Sequence, residues 1–161
     1  MLLVVDANVL IDYVKIDSSI LSLAAQHLGD IHVPSVILDE VSQLNEADCE
    51  QLGLIVIEEP LEILSAAAEN RGRLSFEDHV CLLLAQKEGW ICVSNDKPLH
   101  RACLEEKIEV FWGLRLMLEL VERNFLDKQT ATITALQIHM TNPRHITLEI
   151  IETFNKKLSA L

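Results

Sequence analysis

The chain has 161 residues, half of them hydrophobic, with 25 acidic side chains against 13 basic ones and a net charge of −12. That length and apolar fraction suit one domain with its own core, while the charge repels a polyanion unless basic side chains gather locally or metal ions intervene. Residues 1–5 are apolar but too few to span a membrane, and neither a basic n-region nor a small-residue cleavage site accompanies them; no signal peptide, no membrane association and a cytoplasmic location are expected.

Five short runs rich in β-branched residues read as strands covered on both faces: 2–5, 31–33, 54–57, 91–93 and 108–111. Helical patterns separate them. Residues 18–28 follow the first strand, 35–44 the second, 61–70 and 76–87 the third, and 98–105 lie between the last two. This alternation predicts an α/β fold, a doubly wound parallel β-sheet flanked by helices. Pro34 and Pro60 stand at helix starts, where a missing N–H is harmless, and Gly89 closes a helix. Beyond Phe111 the pattern is helical over 114–122, 130–139 and 146–158, with Asn142 and Pro143 marking the turn before the last helix. The expected organisation is an α/β domain over 1–124 and a C-terminal helical extension, 125–161, packed on the same domain. Four cysteines show no C-x-x-C pairing and six histidines no ligand spacing, so neither a disulfide framework nor a zinc site is expected.

The acids carry the chemistry. In open parallel sheets ligands bind outside the carboxyl ends of the strands, near the point where strand order reverses. Asp6, in VVDANVLIDY, ends the first strand, and Asp96, in ICVSNDKPL, follows the fourth. If the order reverses between those strands, both carboxylates face one crevice. Glu40, in VPSVILDEVSQL, sits beside the stripe of Ile37, Val41 and Leu44 on the expected helix, whereas Asp39 is turned about 100° away by the helical period. Asp78, in LSFEDHVCLLLA, begins a helix, with Ser75 at capping-box-like spacing.

Each acid also has a plainer reading. Asp6 can cap a turn, Asp78 can meet a helix dipole, Glu40 can be solvated and Asp96 can shape a turn. Their convergence favours a ligand, because gathered like charges oppose folding and a cation relieves them. Oxygen donors alone select hard ions, Mg²⁺ or Mn²⁺.

The stretches VVDANVLID, VPSVILDEV, LSFEDHVCLLLA and VSNDKPL resemble the PIN-domain family over roughly residues 1–115. The C-terminal helices resemble the tail of prokaryotic PIN proteins, including toxin halves of toxin–antitoxin pairs. The resemblance implies a divalent-metal-dependent ribonuclease that hydrolyses single-stranded RNA, with Asp6, Glu40, Asp78 and Asp96 as catalytic and metal-binding residues and Mg²⁺ or Mn²⁺ as cofactor. Asn8 matches the small polar position two residues after the first acid, and Ser94 with Asn95 the polar pair before the last. Arg71, Arg73, Lys97 and Arg101 flank the helix of Asp78 and the loop of Asp96 and are the expected phosphate contacts. Metal-bound acids permit phosphodiester hydrolysis without a protein nucleophile, and the chain accordingly offers neither G-x-S-x-G nor a P-loop.

An acidic crevice also suits a small basic antitoxin-like inhibitor reaching it through arginine, and the helical surplus suits a homodimer. The alternative of another class is a PIN-like binding or scaffold protein without nuclease activity. Two further sheet families fit less well: a haloacid-dehalogenase-like phosphatase needs an aspartate where Asn8 stands, and a receiver domain needs one closing the third strand, where LIVIEEP has Glu58 and Glu59.

Overall fold

The computed structural model describes residues 1–69 and 72–161; the end of the helix expected over 61–70, and Arg71, lie outside them. Among the described residues five strands form one parallel sheet: β1 (Leu2–Val5), β2 (Asp30–Pro34), β3 (Ile55–Ile57), β4 (Ile91–Val93) and β5 (Val110–Phe111). Their order is β3-β2-β1-β4-β5. The chain begins in the middle, steps outward through β2 and β3, then crosses back to place β4 against the free side of β1. Leu3 is therefore paired with Ile31 on one side and Ile91 on the other. Leu3, Val4, Val5, Ile31, Val33, Cys92 and Val93 are fully buried, which is why these strands read as continuous apolar runs rather than alternating ones. The architecture is α/β and consistent with a PIN-like doubly wound fold, and its switch point falls between β1 and β4 as the acid pattern required.

Ten helices surround the sheet among the described residues: α1 (Ala7–Ile16), α2 (Ser19–His27), α3 (Ser35–Leu38), α4 (Glu46–Leu52), α5 (Leu61–Ala68), α6 (Phe76–Glu88), α7 (Lys97–Glu105), α8 (Arg115–Glu122), α9 (Lys128–Thr141) and α10 (Leu148–Ser159). Three differ from expectation. The segment after the first strand is α1, entered at once from Asp6, so the helix expected over 18–28 is the second after β1 and not the first. The helix expected over 35–44 ends at Leu38, where the chain tightens into i→i+3 bonds, Glu40 N–H to Ile37 C=O and Val41 N–H to Leu38 C=O. Glu40 accordingly lies in a turn and not beside a helical stripe. Past that turn Asn45 and Asp48 close a reciprocal capping box that starts α4, a local signal strong enough to begin a separate helix.

Pro34 cannot donate a backbone bond, and the start of α3 is satisfied from the neighbouring strand end instead: Glu59, just past β3, accepts from Ser35 Oγ at 2.8 Å and from Val36 N–H at 2.9 Å. The C-terminal helices share the core of the sheet. Ala131, Ala135, Ile138, Ile151, Phe154 and Leu158 belong to the same buried cluster as the strands. A smaller cluster of Ile63, Ala67, Val80 and Leu84 joins α5 to α6. Among the described residues no helix is long and apolar enough to cross a membrane.

Candidate functional site

β1 delivers Asp6 to the carboxyl edge of the sheet beside the end of β4. Its N–H still donates to Val93 C=O at 3.0 Å, the last rung of the β1–β4 ladder, and α1 starts one residue later. The side chain turns back on that helix start. Oδ1 accepts from Ala7 N–H at 2.7 Å and Oδ2 from the Ser94 hydroxyl at 2.9 Å, with Asp6 only 3% exposed. The capping reading is thus geometrically true, yet it leaves the carboxylate under strain. Burial pushes the Asp6 carboxyl up, the Ser94 and Ala7 bonds counter it, and the negative charges of Asp96 and Glu77 push it up further.

Ser94 ties the two strand ends together. Fully buried, its hydroxyl donates to Asp6 and accepts from Asp96 N–H at 3.0 Å. Asp96, half-buried, spends Oδ2 on Leu99 N–H at 2.9 Å and so caps α7. The Ser94 carbonyl accepts from His100 Nε2 at 2.6 Å. A carbonyl can only accept, so that ring nitrogen carries the proton.

From α6 comes Asp78, whose N–H donates to Ser75 Oγ at 3.1 Å. The carboxyl of Asp78 is pushed up to about 7, first by burial, then by the charges of Asp6 and Asp96, with Glu40 adding to them. Glu40 is exposed, but partial burial, the charges of Glu77 and Asp6 and a carboxyl–carboxyl hydrogen bond to Glu77 all raise it. The structure thus sets Asp78 within electrostatic reach of Asp6, Asp96 and Glu40, and Asp6 within reach of Asp96, and adds Glu77 from the first turn of α6. Sequence reasoning passed over Glu77, although its place beside Asp78 in FED was a usable signal.

Ion pairs among the described residues lie elsewhere. Lys87 meets Glu62 at 2.8 Å, and Arg115 and Arg123 both meet Glu119. None of them neutralises the sheet-edge acids. In the same residues no group of three or more His, Cys, Asp or Glu side chains is set to hold a metal ion. The donor chemistry, all carboxylate oxygen, fits a hard cation; the side chains feel each other's charge without forming a ready coordination shell.

The other expected residues separate. Asn8 is exposed on the first turn of α1. Asn95 faces the interior of the fold: its Oδ1 accepts from Gly113 N–H at 2.9 Å and its Nδ2 donates to Asp12 Oδ2 at 3.2 Å. A Cβ at Gly113 would stand 3.1 Å from both side-chain polar atoms of Asn95 and 3.2 Å from Val9, so any larger residue there would have to push these side chains back by a few tenths of an ångström. Asp12, on α1 and 5% exposed, also accepts from Asn142 Nδ2 at 3.0 Å. Burial raises its carboxyl, while Asn142, His145, Lys15 and Asn95 all pull it down. Asp12 was missed although VVDANVLIDY contains it. Val9, Leu10 and Tyr13 are buried at helical spacing, and a carboxylate inside such a stripe was the available signal. Arg73, Lys97 and Arg101 are exposed, the latter two on α7.

A shallow cleft of about 520 Å³ lies away from this edge, between the turn after α1 and the loop before α9, and is lined in part by Asp17, Leu23 and Phe125. None of the sheet-edge acids lines it. No family model, no curated protein and no solved structure matches the chain.

Proposed function

We propose that the chain is a PIN-type ribonuclease that hydrolyses single-stranded RNA with Mg²⁺ or Mn²⁺ held among Asp6, Glu40, Asp78 and Asp96. One observation carries the reading: Asp6 is buried at the switch point with only Ala7 N–H and the Ser94 hydroxyl bonded to its carboxylate, the nearby charges of Asp96 and Glu77 are negative, and no ion pair among the described residues reaches it. Such a set is costly to the apo fold, and a cation offsets that cost.

A bound divalent ion supplies hydroxide at neutral pH and neutralises charge developing on the phosphodiester. The chain's own residues do the holding. Ser94 and Ala7 N–H fix the Asp6 carboxylate in one orientation, and Leu99 N–H fixes that of Asp96. Asp78, on the first turn of α6, would hold the ion as a carboxylate together with these two. Glu40 and Glu77 stand at the rim. Arg73, Lys97 and Arg101 meet phosphates, offsetting locally the repulsion set by the net charge.

A second reading, a binding or scaffold protein of PIN-like fold, is favoured by the lack of a preset three-ligand group among the described residues. Hydrolysis of single-stranded RNA in Mn²⁺ separates the two. Turnover by the native chain, abolished by EDTA and by Asp78→Asn, supports the nuclease; equal turnover in all three conditions overturns it, and no turnover in any favours the scaffold.

Partners follow from the same surface. The acidic edge is a receptor for arginine from a small basic inhibitor. For a homodimer, α9 offers Ile133, Leu136 and Met140, 49%, 46% and 71% exposed, on a helix without any acidic side chain. For a chain of net charge −12, that helix adds no like charge to a contact with its own copy. The cytoplasm, where RNA is at hand, is the setting this reading implies.

A further inference from the structure

Trp112 follows β5 and is 44% exposed, a large aromatic left in water beside the candidate site. Its mounting is rigid. Before it, Phe111 C=O accepts from Ser94 N–H at 3.0 Å; after it, Gly113 is held by Asn95 at its N–H and by the Tyr13 hydroxyl at its C=O, 2.7 Å away. One face of the indole lies on the His100 imidazole, ring centroids 3.5 Å apart and planes within 14°. His100 is bonded to the Ser94 carbonyl and Ser94 to Asp6, so the ring stands two side chains away from the buried carboxylate. The second tryptophan behaves differently: Trp90 stacks on His32 and is half-buried against the core.

A preorganised aromatic with one face packed and further surface in water suits stacking of a planar ligand, since little conformational freedom remains to be lost on binding. The helix that carries His100 also presents the exposed Lys97 and Arg101, which suit a phosphate backbone beside the stacked group. We propose that Trp112 is a nucleobase platform, on whose exposed surface a base of the bound single-stranded RNA stacks while Lys97 and Arg101 take neighbouring phosphates. This rests on the ribonuclease reading and names how that site holds its substrate.

The experiment titrates an oligouridylate ten nucleotides long into the native chain, Trp112→Phe and Trp112→Leu, in EDTA so that binding is read without cleavage, and then measures hydrolysis in Mn²⁺. Leucine keeps an apolar cover on His100 without a π face, and thermal melts establish that each variant is folded. Expected are quenching of tryptophan fluorescence in the native chain, a Kd weakened about tenfold in Trp112→Leu and little changed in Trp112→Phe. KM should rise by a similar factor in Trp112→Leu with kcat nearly constant. If the native chain cleaves the RNA and Trp112→Leu binds and turns over equally well, the platform is refuted and the nuclease stands. If the RNA binds with the expected loss in Trp112→Leu but is not cleaved, the nuclease falls and the platform stands. Neither binding nor cleavage by the native chain overturns both.

Discussion

Asp6 and Asp12 are both buried, both belong to the start of α1 or its interior, and burial raises both carboxyls. Their surroundings are opposite. Asp12 accepts from two side-chain amides and has Lys15 and His145 acting on it from nearby, so its charge is compensated inside the fold and it locks α1 to Asn95 and to Asn142, the cap of α9. Asp6 has one backbone and one hydroxyl donor and then the acids Asp96 and Glu77. A buried carboxylate that the fold compensates is a structural tie; one that the fold surrounds with like charge is suited to a cation from outside.

Activity separates the pair most. Asp6→Asn should lower RNA hydrolysis on the order of a thousandfold, several kcal/mol of metal-dependent transition-state stabilisation, with a native circular dichroism spectrum. A mutant with unimpaired turnover breaks the contrast at its functional end.

Stability separates them in the other direction. Asp12→Ala leaves the Asn95 and Asn142 amides without their shared acceptor and should cost about 2–3 kcal/mol, a melting point lower by roughly 5–10 °C for a chain of this size. Metal-free Asp6→Asn should melt at or above the native chain, because it removes a repelling charge at nearly constant volume. If the two mutants melt alike, the distinction between compensated and uncompensated burial is wrong.

Mass action sharpens the same point. Mn²⁺ at about ten times its Kd should stabilise the native chain by roughly 1.4 kcal/mol, and Asp12→Ala by the same increment above its own lower baseline. Asp6→Asn should gain little. Thermal melts with and without Mn²⁺ check all three.

The smallest effect is in pH. Asp78, ordinarily at 3.8 and pushed up to about 7, holds its proton more tightly folded than unfolded, so metal-free stability should fall as pH rises through that interval and level off above it. The group is half-exposed, and solvent screening reduces the expected loss to about 1 kcal/mol. Asp78→Asn should flatten the profile. A native profile that instead rises with pH over this range would show that Asp78 is stabilised by charge, not burdened by it.

Some of this was written along the chain. Asp6 and Asp96 break apolar runs, and Ser75 stands three residues before Asp78, so their places at strand ends and a helix start follow from local pattern, as does the alternation that builds a parallel sheet. Repeating hydrophobic burial and capping are short-range effects, and a linear reading captures them. What it did not capture depends on partners brought from afar. Asn95 looked like a site residue and is a clamp because Asp12, 83 positions away, needs its amide; Asn142 reaches the same carboxylate across 130 positions. Glu40 sits in a turn because α3 ends at Leu38 and the chain tightens there into i→i+3 bonds, and Glu77 joins the acids only once α6 is docked. Trp112 became notable only when His100, from another element, packed beneath it. Sequence alone determined which apolar runs build the sheet and which acids stand at strand ends; only tertiary structure decided which charges are buried and which of those are compensated, because compensation depends on distances between groups that the chain itself leaves far apart.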